Sequence, residues 1–266
     1  MKKKISKISK YHYIKLLLHT MMFLTYLGFY IYHKVVGLPD VFENFDNLQL
    51  VFIIIWVVFL IEIIFRYFPS NIESMGCQKI FKRNYVPHPE KTPKPKRTNP
   101  WRTFAVATAW IVGNAIIGIV YFVGWIDQGM LIMVSLLYSI GDMVCILFFC
   151  PFQTWFLKNK CCNTCRIYNW DMAMMVTPLV FIPNFFTWSL VVVALGLLIK
   201  WEIVYKKHPE RFVENTNRNL LCANCKEKLC VHKKQLKKYL KKFQTRFFPV
   251  THNQSEDKEL TIEKNK

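Results

Sequence analysis

Six of the nine cysteines fall in two short clusters. KCCNTCR carries Cys161, Cys162 and Cys165; LCANCKEKLCVH carries Cys222, Cys225, Cys230 and nearby His232. Each cluster contains Cys-x2-Cys, a spacing whose tight turn brings two thiolates onto one metal ion. Two such turns supply the four tetrahedral ligands of a structural zinc site. Cys162, Cys165, Cys222 and Cys225 are therefore the expected ligands, with Cys161, Cys230 and His232 in reserve. Thiolates alone do not identify the metal, so an iron or iron–sulfur centre on the same residues is the alternative cofactor. The spacing also suits a thiol–disulfide pair, because it lowers thiol pKa; unrelated reduced cysteines are the bland alternative. Cys77, Cys145 and Cys150 stand apart, and the last two read as small apolar filler.

A second group of residues is notable for its surroundings. Ionisable side chains inside apolar stretches are costly and mark function or packing. Asp142 sits mid-stretch in SLLYSIGDMVCILFF, Asn114 lies beside Gly113, and Glu62 precedes Arg66 by four residues. Asp142 with Asn114 and Glu62 is the candidate polar pocket, against a plain interhelical hydrogen bond. Glu62 and Arg66 have the spacing of an intrahelical ion pair. Lys15 and His19 sit near the start of an apolar stretch, where a lysine can snorkel. Ala105, Ala109 and Gly113 form a small-residue ridge suited to close helix contact. RIYNWD places Arg166, Asn169 and Asp171 where a headgroup-level site would lie, although Trp and Tyr are ordinary interfacial anchors and Asp171 could cap a helix.

What must position these residues is a membrane. The 266-residue chain is 53% apolar, yet carries 36 Lys and Arg against 17 Asp and Glu, a formal charge of +19. Those properties segregate along the chain, which excludes a disordered chain, a collagen and a small disulfide-stapled module. Residues 14–36, 48–68, 104–126 and 130–152 are each long and apolar enough to span a hydrocarbon core of ~30 Å. The expected fold is an all-α polytopic membrane protein with four clear spans, a C-terminal helical hairpin and a small cytoplasmic cysteine-rich metal module. The lysine-rich start reads as an uncleaved anchor, since no small-residue cleavage site follows the first apolar stretch.

The apolar region 171–205 is too long for one ordinary span, at roughly 52 Å as a straight helix. Pro178 and Pro183-Asn184 interrupt it. Basic residues mark the segments before the first span, between the second and third, and after the fourth, which places these in the cytoplasm. Residues 200–266 hold 17 Lys or Arg, which also argues for the cytoplasm. A short arm (170–182) turning at Pro183-Asn184 into a full span (184–206) reconciles the counts; a five-span chain with opposed termini is the alternative. The transmembrane domain then covers 1–206, a cysteine-rich and basic amphipathic tail 207–250, and a disordered tail 251–266. The site is set in an inner membrane with both termini cytoplasmic.

The proline-rich stretch 85–102 reads as a solvated linker. In the tail, Leu236, Tyr239, Leu240, Phe243 and Phe247 recur at helical spacing opposite lysines. Such a helix lies on a bilayer of anionic lipids, and no nucleic-acid-binding motif accompanies the charge. The bilayer is thus the expected partner; the residues name no protein partner or substrate. No phosphate-binding, metalloprotease or nucleophile-elbow motif occurs. Two functions follow from the residues: a membrane scaffold or small-solute carrier with a structural metal site, and a membrane redox protein passing electrons to a lipid-soluble acceptor.

Overall fold

The computed structural model describes residues 6–38, 47–88, 99–159, 161–227 and Cys230. His232, the tail expected to form an amphipathic helix and residues 251–266 lie outside the described residues. The described chain is helical, and five helices are long and apolar enough to cross a membrane. They are α1 (Lys7–Val36), α2 (Asn47–Tyr67), α4 (Pro100–Phe122), α5 (Gln128–Leu147) and α7 (Phe185–Lys207), with short helices α3 (Met75–Gln78) and α6 (Asp171–Val176) between them.

Local signals set the ends of the long helices. Ser6 caps α1 by accepting from the Ser9 amide, two turns before the apolar stretch begins. At its other end Gly37 adopts φ +73°, and Leu38 N–H reaches back to His33 O at 3.1 Å, the bonding of a left-handed C-terminal cap. Asn99 and Pro100 open α4 four residues earlier than the hydropathy suggests, because a proline suits the first helical position. Asp127 and Asn184 cap α5 and α7 through their side chains. The fourth span ends early: α5 stops at Leu147, and the chain after Pro151 forms a wide helical turn, Phe152–Phe156.

The region 171–205 is a hairpin. Its first arm begins as α6 and tightens into a 3₁₀ stretch, Thr177–Phe181, at Pro178. Ile182, before Pro183, is extended, as a residue preceding proline must be. A helix broken in an apolar setting leaves carbonyls to be satisfied from outside. Ser135 of α5 donates to Met175 O at 2.7 Å, and Thr187 of α7 donates to Ile182 O at 2.7 Å. The arm is only about 20 Å long by its rise, yet Phe181 reaches Phe122 at the end of α4. It therefore crosses most of the bundle.

Contacts define two ends. At one, here the near end, Ser6 and Ser9 hydroxyls donate to Glu227 O, and Arg211 donates to Ile80 O. At the other, Tyr30 and Lys34 meet Asp127 at 2.9 and 2.6 Å. The start of α1 and the segment ending at Glu227 thus share one end.

The small-residue ridge of α4 does not pack as expected. Ala105, Ala109 and Gly113 are exposed, and a Cβ on Gly113 would meet nothing within 4 Å. The packed face is Val106, Asn114 and Gly118, where a Cβ on Gly118 would lie 2.5 Å from the Phe181 ring. Gly118→Leu should therefore displace the arm and lower stability by about 1–3 kcal/mol, as overpacking does. Gly113→Leu should stay within about 0.5 kcal/mol. Thermal unfolding of the solubilised protein compares the two; equal effects would contradict this packing.

Candidate functional site

The near half of the bundle is where buried charge collects. His12, Lys15 and His19 recur along one face of α1 and are 3%, 4% and 1% exposed. Lys15 Nζ lies 3.0 Å from Glu62 Oε2, and His19 Nε2 lies 2.9 Å from Glu62 Oε1. Lys15 therefore turns inward to an acid rather than snorkelling. Four residues along α2, Arg66 is buried and reaches Asp171 Oδ2 at 2.5 Å and Asn169 Oδ1 at 3.3 Å. The expected Glu62–Arg66 pair is not formed. Each side chain instead pairs with another element, tying α2 to α1 and to the arm.

Asp142 belongs to this layer. It lies little more than a turn from the end of α5, not mid-span, because α5 stops at Leu147. Its carboxyl group lies near that of Asp171, and its Oδ2 is buried with no partner. Asp171 opens α6 and accepts from the Met172 amide at 2.9 Å besides holding Arg66. Asn114 turns back onto its own helix, donating to Trp110 O at 2.9 Å. It does not line the pocket that Asp142 borders. Of the expected polar trio, Asp142 alone faces that pocket, and Glu62 serves Lys15 and His19.

That pocket is a cavity of about 220 Å³ between α4, α5, the arm and the first cysteine turn. Asp142 and Asp171 provide its acid end. Trp110, Tyr138, Met174 and Met175 are among its walls, and Cys145, Cys150, Cys162 and Cys165 also border it. Cys145 and Cys150, read from sequence as filler, thus share a space with the first knuckle. Pro151 and the wide turn that follows fold Cys150 back toward it.

Both Cys-x2-Cys segments form the expected tight turns. Cys165 N–H donates to Cys162 O at 2.9 Å, and Cys225 N–H to Cys222 O at 3.3 Å. Asn163, inside the first turn, donates to Cys225 Sγ at 3.9 Å, so the two turns adjoin. Their sulfurs do not converge: Cys162 Sγ donates to Gln153 Oε1 at 2.9 Å, while Cys165 lies buried beneath the turn. Among the described residues no three His, Cys, Asp or Glu side chains form a metal-holding group. Cys161 is half-buried, and Cys230 is exposed.

Two buried residues that sequence reasoning did not single out hold these turns in place. Lys79, fully buried, donates to Asn163 O at 2.9 Å and Cys165 O at 2.7 Å. Its ammonium lies 5.2 Å from the centre of the Trp201 ring. Burial pulls the Lys79 ammonium down to about 7 and pushes the Cys165 thiol up to about 12, since each charged form loses its water. Glu227, 2% exposed, accepts from Ser74 Oγ and Met75 N–H, both at 2.8 Å. Burial raises its pKa as well. A lysine in a basic segment and a glutamate in a basic tail gave no periodic signal to find them by.

Arg166, expected at the membrane edge, is held rather than free. It pairs with Glu202 and stacks 3.7 Å from the Tyr205 ring centre. Trp170 Nε1–H donates to Glu202 Oε1 at 2.9 Å. Arg166 thus fixes the entry of the arm against α7. Compared with protein-family models, curated proteins and solved structures, the chain matches none.

Proposed function

We propose that this chain is an integral membrane carrier that holds a small, largely apolar molecule in the cavity beside Asp142. The cavity itself carries this reading: apolar and aromatic walls, with two carboxyl groups gathered at one end. Such a site takes a molecule with an apolar body and one polar end. The near end of the bundle gathers the start of α1 and the segment through Glu227, whose flanking sequences are rich in lysine and arginine. The positive-inside rule then sets the cavity at the cytoplasmic side of an inner membrane.

Chelator-treated protein should react with the small apolar reagent N-phenylmaleimide at Cys162, and far more slowly at buried Cys165. Gly141 lines the cavity, and a Cβ there would meet nothing within 4 Å. Gly141→Leu should fill the space and slow Cys162 labelling by about tenfold, the factor that ~1.4 kcal/mol of exclusion produces. Exposed Cys222 should label as before. Peptide mass spectrometry reads both sites; unchanged Cys162 labelling in the variant would contradict an accessible cavity.

A metal role for the cysteines rests on a separate observation, the contact between Asn163 in one knuckle and Cys225 in the other. We propose zinc on Cys162, Cys165, Cys222 and Cys225, binding which requires the sulfurs to turn inward from their present partners. Purified protein should then hold one zinc per chain, lost in both Cys162→Ser and Cys222→Ser. Full zinc in either variant would remove the shared site. Visible absorption from iron and sulfide would instead favour the redox function.

A further inference from the structure

At the acid end of the cavity, the two described cations already have their acids. Lys15 pairs with Glu62 at 3.0 Å, and Arg66 with Asp171 at 2.5 Å. His19 bonds Glu62 through Nε2, while its Nδ1 and both ring nitrogens of His12 are buried without partners. Of the two acids that line the cavity, Asp142 is the one left over. It faces Lys15 of α1, Arg66 of α2 and Asp171 of the arm. Across the cavity stand Tyr138, Tyr168 and the four thiols. Its buried Oδ2 has no donor. An ionised Asp142 therefore needs a cation that the protein does not supply.

We propose that the cavity takes a lipophilic primary amine, and that the ammonium group and a proton compete for the Asp142 carboxyl. This rests on the carrier reading above and names its substrate class. When the cavity is vacant of amine, Asp142 keeps its proton beside the Asp171 carboxylate. When R–NH₃⁺ enters, the Asp142 O–H bond breaks, the proton leaves to water, and the carboxylate accepts the ammonium N–H. One positive charge enters as one leaves, so the buried layer stays balanced. Trp110 and Tyr138 add ring faces that attract a cation, and Met174 and Met175 fit an irregular apolar body. The result is an amine–proton exchange site.

The test uses the full chain in lipid nanodiscs, with phenylbutylamine as probe and phenylbutanol as its uncharged counterpart. Titration calorimetry in two buffers of different ionisation heat counts protons. Wild type should bind the amine saturably and release up to one proton per amine. Amine affinity should rise about tenfold per pH unit while the carboxyl pair still holds its proton, and alcohol affinity should not change. Asp142→Asn should still bind the alcohol, which shows that it folds, but lose proton release and bind the amine no better than the alcohol. Equal, pH-independent affinity of wild type for both probes would overturn the exchange site while leaving the cavity reading intact. So would undiminished proton release in Asp142→Asn. Saturable binding of neither probe would overturn both.

Discussion

The buried pair of Arg66 and Asp171 is the interaction on which the near half of the bundle depends. Asp171 begins an arm too short and too broken by Pro178 to be stable as an isolated span. A charge left unpaired there would cost several kcal/mol, so the arm enters only where α2 presents its guanidinium. That one placement brings Asp171 against Asp142, sets Asn169 on Arg66, and leaves a space between arm, α4 and α5. The apolar contacts that follow, such as Phe181 on Gly118, fix the far part of an arm whose start is already chosen by charge.

The same end of the molecule is strapped a second time, by groups outside the spans. Lys79 bonds the carbonyls of the first cysteine turn, and Glu227 bonds Ser74 and the first amide of α3 while its carbonyl takes the Ser6 and Ser9 hydroxyls. These bonds tie Lys79 to the first knuckle, and Glu227 to both the start of α3 and the start of α1. Cys162 and Cys165 belong to the first knuckle and also line the cavity. A change at the thiols, whether metal binding or oxidation, therefore acts on the wall of the cavity without a long relay.

Much of the architecture could be read from length and punctuation. Apolar stretches located the five long helices, and Pro183-Asn184 located the turn of the hairpin, because proline constrains the residue before it as well as itself. Capping was harder: Asn99-Pro100 looks like the end of a linker until its role as a helix start is seen. Partner choice was not legible at all. Glu62 and Arg66 have ideal spacing for each other, but a buried charge pairs with whichever opposite charge is desolvated beside it, and Lys15 and Asp171 come from distant parts of the chain. The depth of Asp142 was misjudged because hydropathy continues through Phe148-Phe149 after the helix has ended. Cys-x2-Cys spacing predicted the two turns, while the direction of each sulfur depends on neighbours such as Gln153 that spacing does not encode.

The central claim is that Arg66 and Asp171 act as one unit in holding the arm. A double-mutant cycle with Arg66→Met, Asp171→Leu and the pair, followed by denaturant unfolding in mixed micelles, addresses it directly. Each single variant should lose about 3–5 kcal/mol, as stranding one member of a buried ion pair does. The double variant should be more stable than either, with a coupling of at least ~2 kcal/mol. Single losses below ~1 kcal/mol that simply add would show that packing alone holds the arm, and would contradict this account.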